Sequence, residues 1–220
     1  MPRYSLTKIL LSIGLVGGLS ILLAACGAST PTVSGAKGGP IGGAATAGPS
    51  AVASGAADSP EPDRHGAPEL EGLLPASVSG IDLERLSLSG ADFYAEGTDE
   101  TRAQLDTMLR QLGKTVADLS VGDAGDPTGK AILEVGAFRV AGAAGDELLA
   151  GWVASHQAAS PRTVTVSNVT IADRALTKIV DSAHPVGGVI YAYAKGDTLF
   201  LVSADDSAYV SDALRQLPKP

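Results

Sequence analysis

The chain has 220 residues, 45% of them hydrophobic and 4% aromatic, and a formal charge of −8. An acidic chain of this kind is a poor partner for nucleic acid or for an anionic lipid surface, and neither is expected. Its single cysteine excludes an internal disulfide and leaves no second thiol for a thiolate zinc site.

Arg3 and Lys8 supply a short basic region, and Ile9 to Leu23 follows without a charge. That apolar run is short of the roughly 20 residues a bilayer span needs. A basic flank, a short apolar core and small residues at the exit mark an export signal, with the basic end on the cytoplasmic side. The exit reads Leu23-Ala24-Ala25-Cys26-Gly27. An aliphatic residue, two small residues and a cysteine resemble the lipobox of bacterial lipoproteins. The resemblance covers the first 27 residues and implies three things. Residues 1–25 are a signal peptide; the cut falls between Ala25 and Cys26; and the thiol of Cys26 carries a diacylglyceryl group with palmitate-like chains. Lipidation accounts for an otherwise unpaired thiol in an exported chain. Each buried methylene contributes about 0.8 kcal/mol and two chains hold where one is marginal, so Cys26 is expected to fix the protein to the extracytoplasmic face of the cell membrane. Loss of Arg3 and Lys8 makes the mature chain two charges more acidic.

From Cys26 to Pro68 the composition turns to Gly, Ala, Ser, Thr and Pro, as in Gly38-Gly39-Pro40. Too little apolar surface is present to offset the entropy of ordering, which predicts a disordered linker over residues 26–68. About 40 such residues have an r.m.s. reach of roughly 35 Å. His65, in its charged and Pro-rich end, is read as solvated.

Residues 69–220 have the length of one domain. Leu83 to Leu88 predicts a strand. Thr98 caps a helix through Leu112, with Asp99 and Glu100 in its first turn and Gly113 beyond its end. Leu105, Met108, Leu109 and Leu112 share one face of it. Lys114 to Leu119 adds a further helical turn, and Ala131 to Val140 is a strand. Asp146 opens a helix through about His156, with Leu148, Leu149, Trp152 and Val153 as its apolar stripe. Thr163 to Val166 alternates cleanly, but Val169 and Ile171 continue out of phase, which predicts a bulge near Ser167-Asn168. Asp173-Arg174 turns the chain into a strand over 175–180. Strands over 188–194 and 198–202 flank Lys195-Gly196-Asp197, a hairpin signal. A last helix runs from about Asp205 to Leu217. The expected class is α+β: a mostly antiparallel sheet with about three helices packed on one face, preceded by the signal peptide and linker. Leu109-Arg110-Gln111-Leu112 and Leu214-Arg215-Gln216-Leu217 repeat at two helix ends, which hints at duplication, though these are common helix formers.

The residues that carry chemistry are sparse. The three histidines are His65, His156 and His184, and no Gly-x-Ser-x-Gly elbow accompanies them. His156 lies near a helix end, where a cation suits the dipole. Asp123-Ala124-Gly125-Asp126-Pro127-Thr128-Gly129 places two carboxylates in a turn-rich stretch. It lacks the third carboxylate and terminal Glu of a calcium loop, and reads as a solvated loop. Gly125 to Lys130 imitates a phosphate-binding loop. It is one residue short, has Ala131 in place of Ser or Thr, and leads into a strand instead of a helix. Asp205-Asp206 reads as a helix start. Asn168-Val169-Thr170 fits the glycosylation pattern, which a bacterial-type lipobox makes irrelevant. Tyr191 and Tyr193 share a face of one strand; that face is expected under helices, and Trp152 in the core. No catalytic, cofactor or metal residue is assigned, and no cofactor is expected.

The chain is therefore expected to be a membrane-anchored extracytoplasmic lipoprotein whose domain is a non-enzymatic binding or interaction module. Its partners would be the membrane, through the lipid on Cys26, and an envelope protein or ligand of unknown identity. Two alternatives stay open. One is a carrier holding a lipid or other apolar ligand between sheet and helices. The other is an envelope hydrolase that joins His156 or His184 to a serine and a carboxylate.

Overall fold

A computed structural model describes residues 64–159, 163–183 and 188–220. The signal peptide, Ala25, Cys26, most of the linker and His184 lie outside the described residues. In chain order the elements are α1 (Pro68–Glu71), β1 (Ser77–Val78), β2 (Ile81–Asp82), β3 (Glu84–Ser89), α2 (Gly90–Glu96) and α3 (Asp99–Gln111). A 3-10 turn (Val116–Asp118) leads into β4 (Leu119–Gly125) and β5 (Leu133–Val140). Then come α4 (Gly145–Ala159), β6 (Val164–Ile171), β7 (Arg174–Asp181), β8 (Val189–Lys195), β9 (Thr198–Ala204) and α5 (Ser207–Gln216). Among the described residues no helix is long and apolar enough to cross a membrane.

The expected α+β class is the one observed. Seven strands form one sheet in the order β3-β4-β5-β9-β8-β7-β6, and β1-β2 form a separate two-stranded ribbon. Every neighbouring pair in the large sheet is antiparallel. Two meanders, β3-β4-β5 and β6-β7-β8-β9, are thus joined at the centre where β5 meets β9.

Helices cover both faces of the sheet, where one was expected. Leu199 and Leu201 of β9 point into a core with Phe93, Leu105, Met108, Leu109, Leu148 and Trp152 from α2, α3 and α4. Phe200 and Val202 point the other way, into a core with Leu70, Val78, Val210 and Leu214 from α1, β1 and α5. The cause is legible in β9 itself: Thr198 to Ser203 is buried at every position, and a continuous buried run belongs to a strand covered on both sides.

Local signals hold at most element ends. The Thr98 side chain accepts from the Thr101 N–H at 3.2 Å, and Asp206 caps α5 by accepting from the Ala208 N–H at 2.7 Å. Five elements go beyond the sequence expectation: α1, β1 and β2 before β3, then α2 and β4. α2 fills the stretch between β3 and α3. The helical turn expected over Lys114 to Leu119 is present as the 3-10 turn Val116–Asp118, whereas β4 takes in Asp123 to Gly125, expected as the start of a loop. The bulge expected at Ser167-Asn168 is absent: β6 and β7 pair residue for residue from Val164↔Asp181 to Ile171↔Arg174. The change of apolar phase has another cause. Val164 packs on the α4 side of the sheet, while Val169 and Ile171 pack on the α5 side, so the strand serves both cores without a break. The two Leu-Arg-Gln-Leu segments end helices on opposite faces, α3 between β3 and β4 and α5 after the last strand. Their places in the topology are not equivalent.

Candidate functional site

The strongest departure from ordinary burial lies on β4 and β5, on the face covered by α2, α3 and α4. Asp123, read as part of a solvated loop, is instead an interior residue of β4 and only 3% exposed. In the antiparallel register Asp123 sits opposite Gly136, and Gly125 sits opposite Glu134. Alternation puts all four on one face. The result is a chequerboard of two carboxyls and two glycines, with Ser203 of β9 opposite Glu134 on the other side. A Cβ built on Gly136 would find nothing nearer than the Leu201 side chain at 3.7 Å, and one on Gly125 nothing nearer than the Leu133 carbonyl at 3.7 Å. The glycines leave side-chain space between the two carboxyls.

Burial governs the electrostatics of this pair. It pushes the Asp123 carboxyl well above the usual range, the nearby Glu134 charge raises it further, and a hydrogen bond from the Ala124 N–H opposes them. Asp123 Oδ1 has no hydrogen-bond partner among the described residues. A buried unpaired charge is costly, which favours the protonated form of this side chain. Burial also moves Glu134 up to about 7. Burial thus disfavours the charged form of both carboxyls. Among the described residues no group of three or more His, Cys, Asp or Glu side chains is placed to hold a metal ion.

Asp126 behaves in the opposite way. Its carboxylate accepts from the N–H groups of Ala131, Lys130 and Thr128 and from the Thr128 hydroxyl, at 2.7–2.9 Å. The Ala131 N–H is the largest influence; with the other donors it outweighs burial and holds the acid down to about 2. This turn joins β4 to β5, so the Gly125 to Lys130 segment has no helix after it and cannot cradle a phosphate as a P-loop does.

The remaining candidates separate. His65 was placed in the linker, yet Arg64 to Gly66 lie along the outer edge of β3, and His65 Nδ1 is 3.0 Å from Glu71 Oε1. The buried Ser87 hydroxyl donates to the same Glu71 oxygen at 2.6 Å and accepts from the Ala67 N–H. Serine, glutamate and histidine therefore meet, but the carboxylate stands between the other two. A nucleophilic triad needs the imidazole in the middle, where it can take the hydroxyl proton. His156 Nδ1 is 3.1 Å from the Trp152 carbonyl one turn back, and its ring lies 4.0 Å from the Trp152 ring. Trp152 is buried, as expected. Tyr191 and Tyr193 share the α5 face. Tyr193 is buried and stacks on Phe200 with ring centroids 5.2 Å apart. Burial pushes its phenol up to about 12 against the pull of Arg174. Asp205-Asp206 is the helix start it was read as, with Asp206 the cap.

Sequence reasoning missed Asp123 and Glu134 because Asp-Ala-Gly-Asp reads as a turn. The available signal was the alternation of Leu119, Val121 and Asp123 with Leu133 and Val135 a short turn away. No family model matches the chain, and neither the curated proteins nor the solved structures contain a match.

Proposed function

We propose that this chain is a bacterial lipoprotein whose domain works as a non-enzymatic binding or interaction module at the extracytoplasmic face of the cell membrane. The observation that carries the reading is Cys26. It is the one cysteine in 220 residues, and it stands where Leu23-Ala24-Ala25 ends an export signal. The Gly- and Ala-rich stretch behind it has the composition of a spacer, and the described residues beyond it form a seven-stranded sheet covered on both faces, with a two-stranded ribbon beside it.

Replacing Cys26 by Ser in the full chain should abolish labelling by a fatty-acid analogue and block cleavage before residue 26. An unmodified Cys26 thiol in the mature protein, seen by mass analysis, overturns the lipoprotein reading. Turnover in a hydrolase screen, with nothing recovered in a pull-down from envelope extract, overturns the binding reading.

A further inference from the structure

The two edges of the large sheet are treated differently. On the outer edge of β3 the Ser87 N–H donates to the Arg64 carbonyl at 2.8 Å, and the Gly66 N–H donates to the Ser87 carbonyl at 3.1 Å. The chain covers that edge with its own backbone. The other edge is β6, and among the described residues nothing pairs with its outer side. Its sequence, Val-Thr-Val-Ser-Asn-Val-Thr-Ile, contains no charge, proline or glycine, and its pairing with β7 has no bulge. Those are the devices by which an edge strand is ordinarily kept from pairing. Thr165 to Asn168 are exposed, Val166 at 37%.

The hairpin fixes which backbone groups face outward. Ala172 and Asp173 both have positive φ, at 51° and 59°, as a two-residue turn that matches strand twist requires. Such a turn closes on a hydrogen-bonded pair, here Ile171 and Arg174. Counting back, Val169, Ser167 and Thr165 bond to β7, and the Ser182 N–H donating to the Thr163 carbonyl at 3.0 Å keeps the same phase. The N–H and C=O groups of Val164, Val166, Asn168 and Thr170 therefore point away from the sheet.

We propose that a second copy of this chain adds its own β6 to this edge, antiparallel, about a two-fold axis through Ser167 perpendicular to the sheet. A two-fold that joins two antiparallel edges preserves the face, so even-numbered residues meet even-numbered ones. The axis at Ser167 sets Val164 against Thr170, Thr165 against Val169, Val166 against Asn168 and Ser167 against itself. Most of these pairings involve β-branched side chains, which suit cross-strand contact. The electrostatics permit it in spite of the acidic chain. The charge beside the axis is Lys178, opposite Ser167 on β7, 5.8 Å from the Tyr191 ring. Its symmetric mate lies three strand spacings away, about 14 Å, beyond a Debye length of about 8 Å. The contact is isologous and closes at two copies. An eight-residue strand is only about 27 Å long, so the area falls short of the ~800 Å² per partner of a standard interface, and the dimer is weak and concentration-dependent. The pairing itself stands whether or not Cys26 carries lipid. On a shared membrane, tethering would strengthen it by raising the local concentration.

The test is oxidative cross-linking of the full chain in detergent. Ser167→Cys should form a disulfide-linked dimer, because residues facing each other in a non-hydrogen-bonded pair bring their Cβ atoms within disulfide range. Thr165→Cys should not cross-link to itself but should cross-link to a Val169→Cys chain. Asn168→Pro removes one outward N–H and leaves the β7 pairing intact, and should shift the sedimentation equilibrium at least tenfold towards monomer with an unchanged unfolding curve. Failure of Ser167→Cys to cross-link, a monomer at every concentration, open-ended association beyond two copies, or a foreign protein holding β6 while this chain stays monomeric each overturns the proposal. A covalent dimer of the unaltered chain reports a free Cys26; it counts against the lipoprotein reading alone, and the comparison is then made with Cys26→Ser added.

Discussion

Arg174 donates through Nη2 to the Leu217 carbonyl at 2.7 Å, tying the first residue of β7 to the end of α5. Nη1 donates to the Pro218 carbonyl at 2.7 Å and to the Tyr193 hydroxyl at 3.0 Å, and the Tyr193 hydroxyl donates in turn to the Pro218 carbonyl. Arg174 is 5% exposed. Helix-end carbonyls carry partial negative charge and satisfy a cation without a carboxylate. Arg174→Met leaves these carbonyls and the phenol without their donor, and should cost about 2–3 kcal/mol in urea unfolding. Arg174→Lys should recover little of it, since an ammonium cannot reproduce the fork. A loss below about 0.5 kcal/mol for both variants would mean that the clamp is dispensable.

Glu134 gives the domain a pH dependence of unusual sign. Burial raises its folded-state value from 4.5 to about 7, so between those values the folded chain binds more protons than the unfolded one. Stability is then fully present below the ordinary carboxylate range and falls as pH rises through about 7. Asp123, raised for the same reason, extends the fall. Glu134→Gln should match the parent at pH 4 and exceed it at pH 8 by about 2 kcal/mol, a figure discounted for partial solvent contact. Parallel stability curves for the two proteins from pH 4 to 8 would sink this account.

Asp126 contributes in the reverse direction. Its folded-state acid is held down to about 2, so its stabilisation is present above the ordinary carboxylate range and is lost as pH falls towards 2. Asp126→Ala removes the acceptor for the Thr128, Lys130 and Ala131 N–H groups and should cost about 1–2 kcal/mol at pH 7. The gap between variant and parent should close near pH 2, as read by thermal unfolding across that range.

These residues also mark how far the sequence could be read. Elements with a strong period and a side-chain cap, such as α3 behind Thr98, or with a turn dipeptide, such as Gly196-Asp197 between β8 and β9, were legible because their signals are local. β4 was not. Leu-Ser-Val-Gly-Asp-Ala-Gly has weak strand propensity, and it is a strand because β3 and β5 hold it on both sides and Gly122 admits Leu70, whose Cβ would lie 3.0 Å from an added one. Tertiary context overrides propensity there. The pairing of Asp123 with Glu134 was hidden for the same reason: a register across two strands cannot be seen until both strands are known. The edge β6 shows the converse. Its composition was legible, but its apolar phase was misread because an edge strand can send valines to both cores.

Gly90 supplies the sharpest packing prediction. It opens α2 directly after β3, with Ser89 as cap accepting from the Asp92 N–H at 3.2 Å. A Cβ at this position would stand 2.0 Å from the Val116 carbonyl oxygen, 2.7 Å from the Leu119 carbonyl oxygen and 2.9 Å from Leu119 Cβ. Two of these are backbone atoms of the segment that turns into β4, so neither can swing aside as a flexible side chain would. Gly90→Ala must therefore push α2 off the sheet and uncover Phe93, which packs edge-on against Phe138 at 5.8 Å. The cost should be about 3 kcal/mol or more, at the upper end of overpacking. Gly136→Ala is the matched control: its added methyl meets nothing within 3.7 Å and should cost less than about 1 kcal/mol. Urea midpoints of the two variants, measured side by side, decide the matter, and a Gly90→Ala protein as stable as Gly136→Ala would show that the approach of α2 to β4 is looser than these distances require.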